Sequence, residues 1–228
     1  MDRDTFRVGL IVPSSNTVME PDMHRHLGNT CAVSTSRTLL RQATTEDETR
    51  MVREELPRSI QLIATTEPHV TVFGCTSAGA LGGVDHDLEI GRNIERGTGG
   101  KGVTVVRSVL GQFEKLRVRR LAVFTPYVEE LTESVTGCFR ESGYELVKVA
   151  GMGIVENRDI GEVTPSAIEE FVSGHMDGTT PDCIFLSCTN WQAIDAIEPL
   201  RKRFGVPVIS SNQATIEAVR EAVANLAS

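Results

Sequence analysis

Val8-Gly9-Leu10-Ile11-Val12-Pro13 and Leu121-Ala122-Val123-Phe124-Thr125-Pro126 are the same kind of segment, repeated at an offset of 113 residues. Each is a short apolar run closed by a proline, the pattern of a buried strand that ends in a turn. The same offset of 113 carries Cys75-Thr76-Ser77 onto Cys188-Thr189-Asn190. Both cysteines follow apolar, β-like runs: Val70-Thr71-Val72-Phe73-Gly74 in the first half and Cys183-Ile184-Phe185-Leu186-Ser187 in the second. A duplicated α/β unit with one thiol per half sets two thiols face to face across a cleft. That arrangement suits action on the two sides of one small molecule.

Working outward, strands are expected at 8–12, 32–39, 70–73, 103–106, 121–124, 145–150, 184–186 and 206–209. Helices are expected at 17–27, 48–64, 109–116, 129–142, 164–173, 192–204 and 214–227, with one more after the Gly74 to Gly79 turn. Thr44, Thr45, Glu46 and Asp47 supply cap residues for the second helix, and Pro165 suits the first turn of its own. This βαβα alternation implies right-handed crossovers and parallel sheets, so the fold class is α/β with two similar parallel-sheet domains. The expected division is a first lobe of residues 1–100 plus 208–228 and a second of residues 101–207. The last helix then returns to the first lobe. Gly97 to Gly102 is the most flexible-looking stretch, near the first crossing.

The 228 residues are 40% hydrophobic and 24% charged, ordinary for a soluble globular chain large enough for one domain or two small ones. No apolar run approaches the roughly 20 residues of a membrane span, and the N-terminus lacks a signal-peptide pattern. Neither membrane nor export is indicated, and a cytoplasmic location is the default. The net charge of -8, with no aromatic-interleaved basic cluster, excludes nucleic acid as a partner. An acidic chain repels anions at long range, so an anion site here has to rest on local N–H donors and helix starts. Five cysteines without a CxxC pair argue against both a disulfide framework and a zinc ribbon, and for reduced thiols.

Ligands of parallel α/β sheets bind beyond the C-terminal ends of strands, where Cys75 and Cys188 both fall. The residues after them, Thr76-Ser77 and Thr189-Asn190, are cap types that open helices. Their free N–H groups can hold a carboxylate and are expected to lower a nearby thiol pKa. The turns after the first strand of each half carry Asn16, an amide donor, and Tyr127, a hydroxyl donor, toward the same cleft. Cys31, Cys138 and Cys183 sit at strand starts or within a helix and read as core packing. The glycines of 97–102 fail the phosphate-loop pattern, and Gly151-Met152-Gly153 lacks the third glycine of a dinucleotide fingerprint. His24 and His26 cannot share a helix face. Asp85-His86-Asp87 reads as a solvated loop rather than a metal site.

Pro13-Ser14-Ser15-Asn16-Thr17, Gly74-Cys75-Thr76-Ser77, Thr125-Pro126-Tyr127, Glu156-Asn157-Arg158-Asp159-Ile160-Gly161 and Ser187-Cys188-Thr189-Asn190, taken in order over nearly the whole chain, resemble the Asp/Glu racemase superfamily. The likeness is greatest to its maleate cis–trans isomerase branch, with arylmalonate decarboxylase as a relative. The resemblance implies pseudo-twofold lobes with the site between them, no metal or organic cofactor, and a homodimer. It implies a small dicarboxylate substrate, with Cys75 as nucleophile and Cys188 as its acid/base partner. Asn16, Tyr127 and Asn157 would bind substrate carboxylates, helped by backbone groups at Thr76, Ser77, Thr189 and Asn190. The decarboxylase branch keeps only the second thiol, so Cys75 speaks against it. Arg107 is a departure with two readings: directed into the cleft it would pair with a carboxylate and change the substrate, and otherwise it is a surface arginine. Three functions follow, in order of preference. The first is isomerisation of maleate or a related cis-butenedioate to the trans isomer through a succinyl-cysteine. The second is racemisation of an amino acid or hydantoin by the same two thiols. The third is a non-catalytic small-acid-binding protein.

Overall fold

A computed structural model describes residues 5–176 and 178–227. The first half runs β1 (Phe6–Pro13), α1 (Met19–Leu27), β2 (Cys31–Thr38), α2 (Thr45–Arg50), α3 (Leu56–Ala64), β3 (Val70–Phe73), α4 (Thr76–Ala80), α5 (Gly83–Thr98), β4 (Lys101–Thr104) and α6 (Val105–Lys115). The second half runs β5 (Arg120–Thr125), α7 (Glu129–Glu141), β6 (Glu145–Gly151), α8 (Asn157–Gly161), α9 (Pro165–His175), β7 (Cys183–Leu186), α10 (Ile194–Phe204), β8 (Val208–Ser210) and α11 (Ser211–Ala227). The strands form two four-stranded parallel sheets, ordered β2-β1-β3-β4 and β6-β5-β7-β8. Val8, Leu10, Ile11 and Val12 are all buried. A continuous run without alternation is what a parallel strand covered by helices on both faces requires.

The repeat seen in the sequence is a repeat in the hydrogen-bond ladders. Val8 pairs with Val70 and Leu121 with Cys183, each member displaced by the same 113 residues. Arg7 pairs with Ala32 and Arg120 with Glu145, again 113 apart. Register in the second lobe then slips by one residue at a bulge between Leu121 and Ala122 on the β6 side. The central strand pair, which carries both cysteines, keeps its register in both lobes.

Sheet membership moves two short strands relative to the boundaries expected from sequence. Lys101–Thr104, expected in the second lobe, pairs with β3, and Val208–Ser210, expected in the first, pairs with β7. The helices after them cross over. Phe113 of α6 meets Phe139, Phe185 and Tyr144 edge-on, with centroids 5.8, 5.6 and 5.2 Å apart. In exchange α11 packs on α1, α6, β3 and β4, elements of the first half.

Other differences have local causes. The β-branched run 103–106 was expected as strand, yet the helix begins at Val105. Thr104 is its N-cap, and the buried carboxyl of Asp87 accepts the Arg107 N–H at 3.1 Å. Asp85-His86-Asp87 is the start of α5 rather than a solvated loop, and Asp87 is wholly buried. The expected helix 48–64 is α2 and α3 joined by a π turn over Met51–Glu55. Pro57, which has no N–H to give, stands just beyond that turn. Gly97 to Gly102 closes α5 and opens β4: Gly99 takes φ +73°, and a Cβ on Gly100 would lie 2.2 Å from the Pro68 carbonyl.

Candidate active site

In both sheets the chain leaves the first-formed strand to one side and returns to the other, so loops after β1 and β3, and after β5 and β7, diverge. That divergence opens a crevice at each sheet's C-terminal edge. Asn16 follows β1, Cys75 follows β3, Tyr127 follows β5 and Cys188 follows β7. The two crevices meet through Asn16, Thr189 and Gly74, and all four side chains are buried.

Polar contacts between the lobes hold the crevices against each other. Asn16 Nδ2 donates to Thr189 Oγ1 at 3.0 Å, and Thr189 Oγ1 donates to the Gly74 carbonyl at 2.9 Å. The Thr17 N–H donates to Asn190 Oδ1 at 2.9 Å, and within the second lobe Asn190 Nδ2 donates to the Asn157 carbonyl at 2.6 Å. Asn157 Nδ2 donates to Ser15 Oγ at 2.8 Å, and Thr76 Oγ1 to Ser211 Oγ at 2.9 Å. Asn16 Oδ1 also accepts the Val18 and Met19 N–H groups at 3.1 and 3.0 Å, so the side chain both caps α1 and braces the opposite lobe. Beside the site an antiparallel bridge joins Gln42 to Glu156, flanked by Ala43 N–H donating to the Val155 carbonyl at 2.8 Å. Each such bond contributes about 1 kcal/mol net, but leaving one buried group unpaired costs about 1–3 kcal/mol.

Cys75 and Cys188 are 4% and 3% exposed. Cys75 is the N-cap residue of α4; its sulfur takes a hydrogen bond from the Ala78 N–H and lies 3.7 Å from Ser77 Oγ. Cys188 accepts the Asn190 N–H at 3.3 Å, the Trp191 N–H and the Tyr127 hydroxyl. Burial pushes the Cys188 thiol up to about 12, against the pull of those donors. Burial also raises Cys75 well above its ordinary 9.0, with the Glu48 charge and the Cys188 sulfur adding to the rise. The helix starts were expected to lower these pKa values, but desolvation outweighs a few N–H dipoles in a closed site. Tyr127 is raised by burial, then by Cys188, Glu48 and Cys75 in turn. The charge of Glu48 is therefore felt by both thiols and by the phenol, which places the two thiols, the phenol and one carboxyl in a single cluster.

That carboxyl is the residue the sequence reading missed. Glu48 of α2 is 1% exposed; Oε1 accepts the Ser77 hydroxyl at 2.6 Å, and Oε2 has no hydrogen-bond partner among the described residues. Burial pushes it up to about 8. A signal was present: Glu48 precedes Met51 by three residues, which puts a carboxyl on the apolar stripe of its helix. Arg107, by contrast, is exposed on α6 and lines a separate cavity of about 600 Å³ with Asp87, Lys101 and Glu221. It does not enter the thiol cluster. Among the described residues no group of three His, Cys, Asp or Glu is arranged to hold a metal, and no helix is long and apolar enough to cross a membrane.

Comparison with known proteins agrees with this fold. The arylmalonate decarboxylase family model matches residues 8–227. A maleate isomerase from Pseudomonas putida is 25% identical over 96% of this chain and 92% of its own. The structure of a maleate isomerase from Pseudomonas putida S16 with maleate superposes with a TM-score of 0.91 at 23% identity, covering 96% of this chain and 92% of that one. A Nocardia farcinica maleate cis-trans isomerase mutant, solved with a covalently bound succinylcysteine intermediate, gives 0.89 at 19% identity over 96% and 93%.

Proposed function

The chain belongs to the arylmalonate decarboxylase family, as a maleate isomerase-like enzyme of the Asp/Glu racemase superfamily, and we propose that it converts maleate to fumarate through a succinyl adduct on Cys75. The observation that carries this reading is the pair of buried thiols at repeat-equivalent strand ends, each aligned with N–H donors. In the scheme Cys75 sulfur adds to one alkene carbon, and Cys188 gives its proton to the neighbouring carbon. The double bond becomes a single bond, which rotates. Cys188 then takes back a proton as the carbon–sulfur bond breaks, leaving the trans isomer. A sulfur nucleophile is soft enough to add to the alkene and to leave again. With its thiol pushed to about 12, Cys188 stands protonated at neutral pH, ready to act first as the acid.

The negative charge that builds on the substrate carboxylate during addition falls among the Asn16 amide, the Tyr127 hydroxyl and the backbone N–H groups of Thr76, Ser77, Thr189 and Asn190. Asn157 is tied to Ser15 on the cross-lobe seam and takes the part of a carboxylate ligand with it. We assign the assembly as a homodimer acting without a cofactor, as in the family pattern. A racemase reading of the same thiols has one observation on its side: the Glu48 carboxyl among them would suit a substrate N–H better than a second carboxylate. Proton NMR of the purified protein with maleate, aspartate, glutamate and a hydantoin in deuterated water separates the two. Fumarate from maleate supports the isomerase. Deuterium entering the α position of an amino acid or hydantoin, with maleate untouched, overturns it.

A further inference from the structure

We propose that Ser77 and Glu48 form a relay that withdraws the thiol proton of Cys75 as its sulfur bonds to the substrate. The inference rests on Cys75 being the nucleophile, the role given to it above. A buried thiol needs somewhere to put its proton, and among the described residues no lysine, arginine or histidine hydrogen-bonds either sulfur. The Ser77 hydroxyl gives its own hydrogen to Glu48 Oε1 at 2.6 Å. Its oxygen lone pairs are then free to accept from Cys75, whose sulfur is 3.7 Å away. With Glu48 ionised, the chain of donors has one direction, from Cys75 through Ser77 to Glu48. A carboxyl kept only for structure would be satisfied at both oxygens, yet Glu48 Oε2 is buried without a hydrogen-bond partner among the described residues.

The step balances without any outside reagent. The S–H bond breaks and its electron pair forms the S–C bond. The proton passes to Ser77 Oγ as the Ser77 proton passes to Oε1. Thiol and carboxylate become thioether and carboxylic acid, while the negative charge passes with the alkene π electrons to the neighbouring carbon, which takes the Cys188 proton and leaves that sulfur as thiolate, so the net charge is unchanged. On expulsion of the sulfur the same two protons move back. Glu48 thus acts through Ser77 and not on the substrate. The ionisable groups facing it are Cys75, Cys188 and Tyr127. On its own helix Asp47 and Arg50 pair with each other at 2.5 Å, and Arg53 pairs with Glu54 on the next turn. Glu46 and Glu130 line an outer cavity on that side.

Alkylation of Cys75 by iodoacetamide, followed by peptide mass spectrometry in the full chain across pH 6 to 10, tests the relay without needing turnover. In the wild type the Cys75 rate should climb with a midpoint near pH 8, where half of the Glu48 carboxyl is ionised, and level off above it. In E48Q, and independently in S77A, it should fall at least tenfold at pH 8 and keep rising past pH 9. A Glu48 that acts only by its charge predicts the opposite sign, because removing a negative neighbour makes the thiolate easier to form. Alkylation in E48Q and S77A as fast as wild type overturns the relay. Slowed alkylation in a protein that leaves maleate untouched keeps the relay and rejects the isomerase reading. Maleate turnover with unslowed alkylation does the reverse.

Discussion

Replacing Cys188 by serine should convert a turnover enzyme into one that stops at the adduct. The substitution keeps a small group that can accept the Asn190 and Trp191 N–H bonds and the Tyr127 hydroxyl, so the fold around it should hold. What it removes is the acid. A thiol near 12 is a far better proton donor than an aliphatic hydroxyl, and a positioned acid is worth about 10²–10⁴ in rate. At about 1.4 kcal/mol per decade that is a barrier increase of about 3–5 kcal/mol. Because the same group must later remove a proton, the loss falls on release as well as on addition, and the Cys75 adduct should accumulate. Fumarate formation is followed by proton NMR, and the adduct by intact mass and peptide mapping after incubation with maleate. Cys188→Ser should show a turnover loss of at least 100-fold together with one succinyl group on Cys75. Turnover within tenfold of wild type, or an adduct on any other residue, would refute the division of labour between the two thiols.

Tyr127→Phe removes the hydroxyl bonded to Cys188 and should lower kcat/KM for maleate by about 10- to 100-fold, the equivalent of one buried charged-group hydrogen bond of about 1.5–3 kcal/mol; steady-state kinetics check it. Glu48 has its folded-state pKa raised from its ordinary 4.5 to about 8, so the folded protein holds a proton that the unfolded chain releases between those values. Stability should accordingly be highest below pH 4.5 as far as this group is concerned, and fall as pH rises toward 8, by up to about 5 kcal/mol. Urea unfolding at pH 5 and pH 8 should show a smaller drop in Glu48→Gln than in wild type; equal drops would contradict the buried carboxyl. Phe113→Ala, at the centre of the aromatic cluster that anchors α6 on the second lobe, should cost about 3–5 kcal/mol in the same assay.

Most of the scaffold was legible in the chain. Strands β1, β3, β5 and β7 are continuous apolar runs followed by turn residues, and a run with no polar alternation has few options other than a buried parallel strand. The offset of 113 between halves reappears intact in the ladders, because duplicated strands carry their register with them. The end of a central parallel strand is where a crevice opens, so the turns that carry Asn16, Cys75, Tyr127 and Cys188 were expected to face one cleft. Tertiary structure decided the rest. Which lobe β4 and β8 join, and the exchange of α6 and α11 between lobes, depend on contacts such as Phe113 on Phe139 and Phe185, far apart in sequence. The sign of the thiol pKa shifts also turned on burial. Helix starts can be read from cap residues, but closure of two lobes over the sulfurs cannot. Glu48 shows the same limit most clearly: along the chain it is one acid among several at a helix start, and only folding brings its carboxyl, through Ser77, to the sulfur of Cys75.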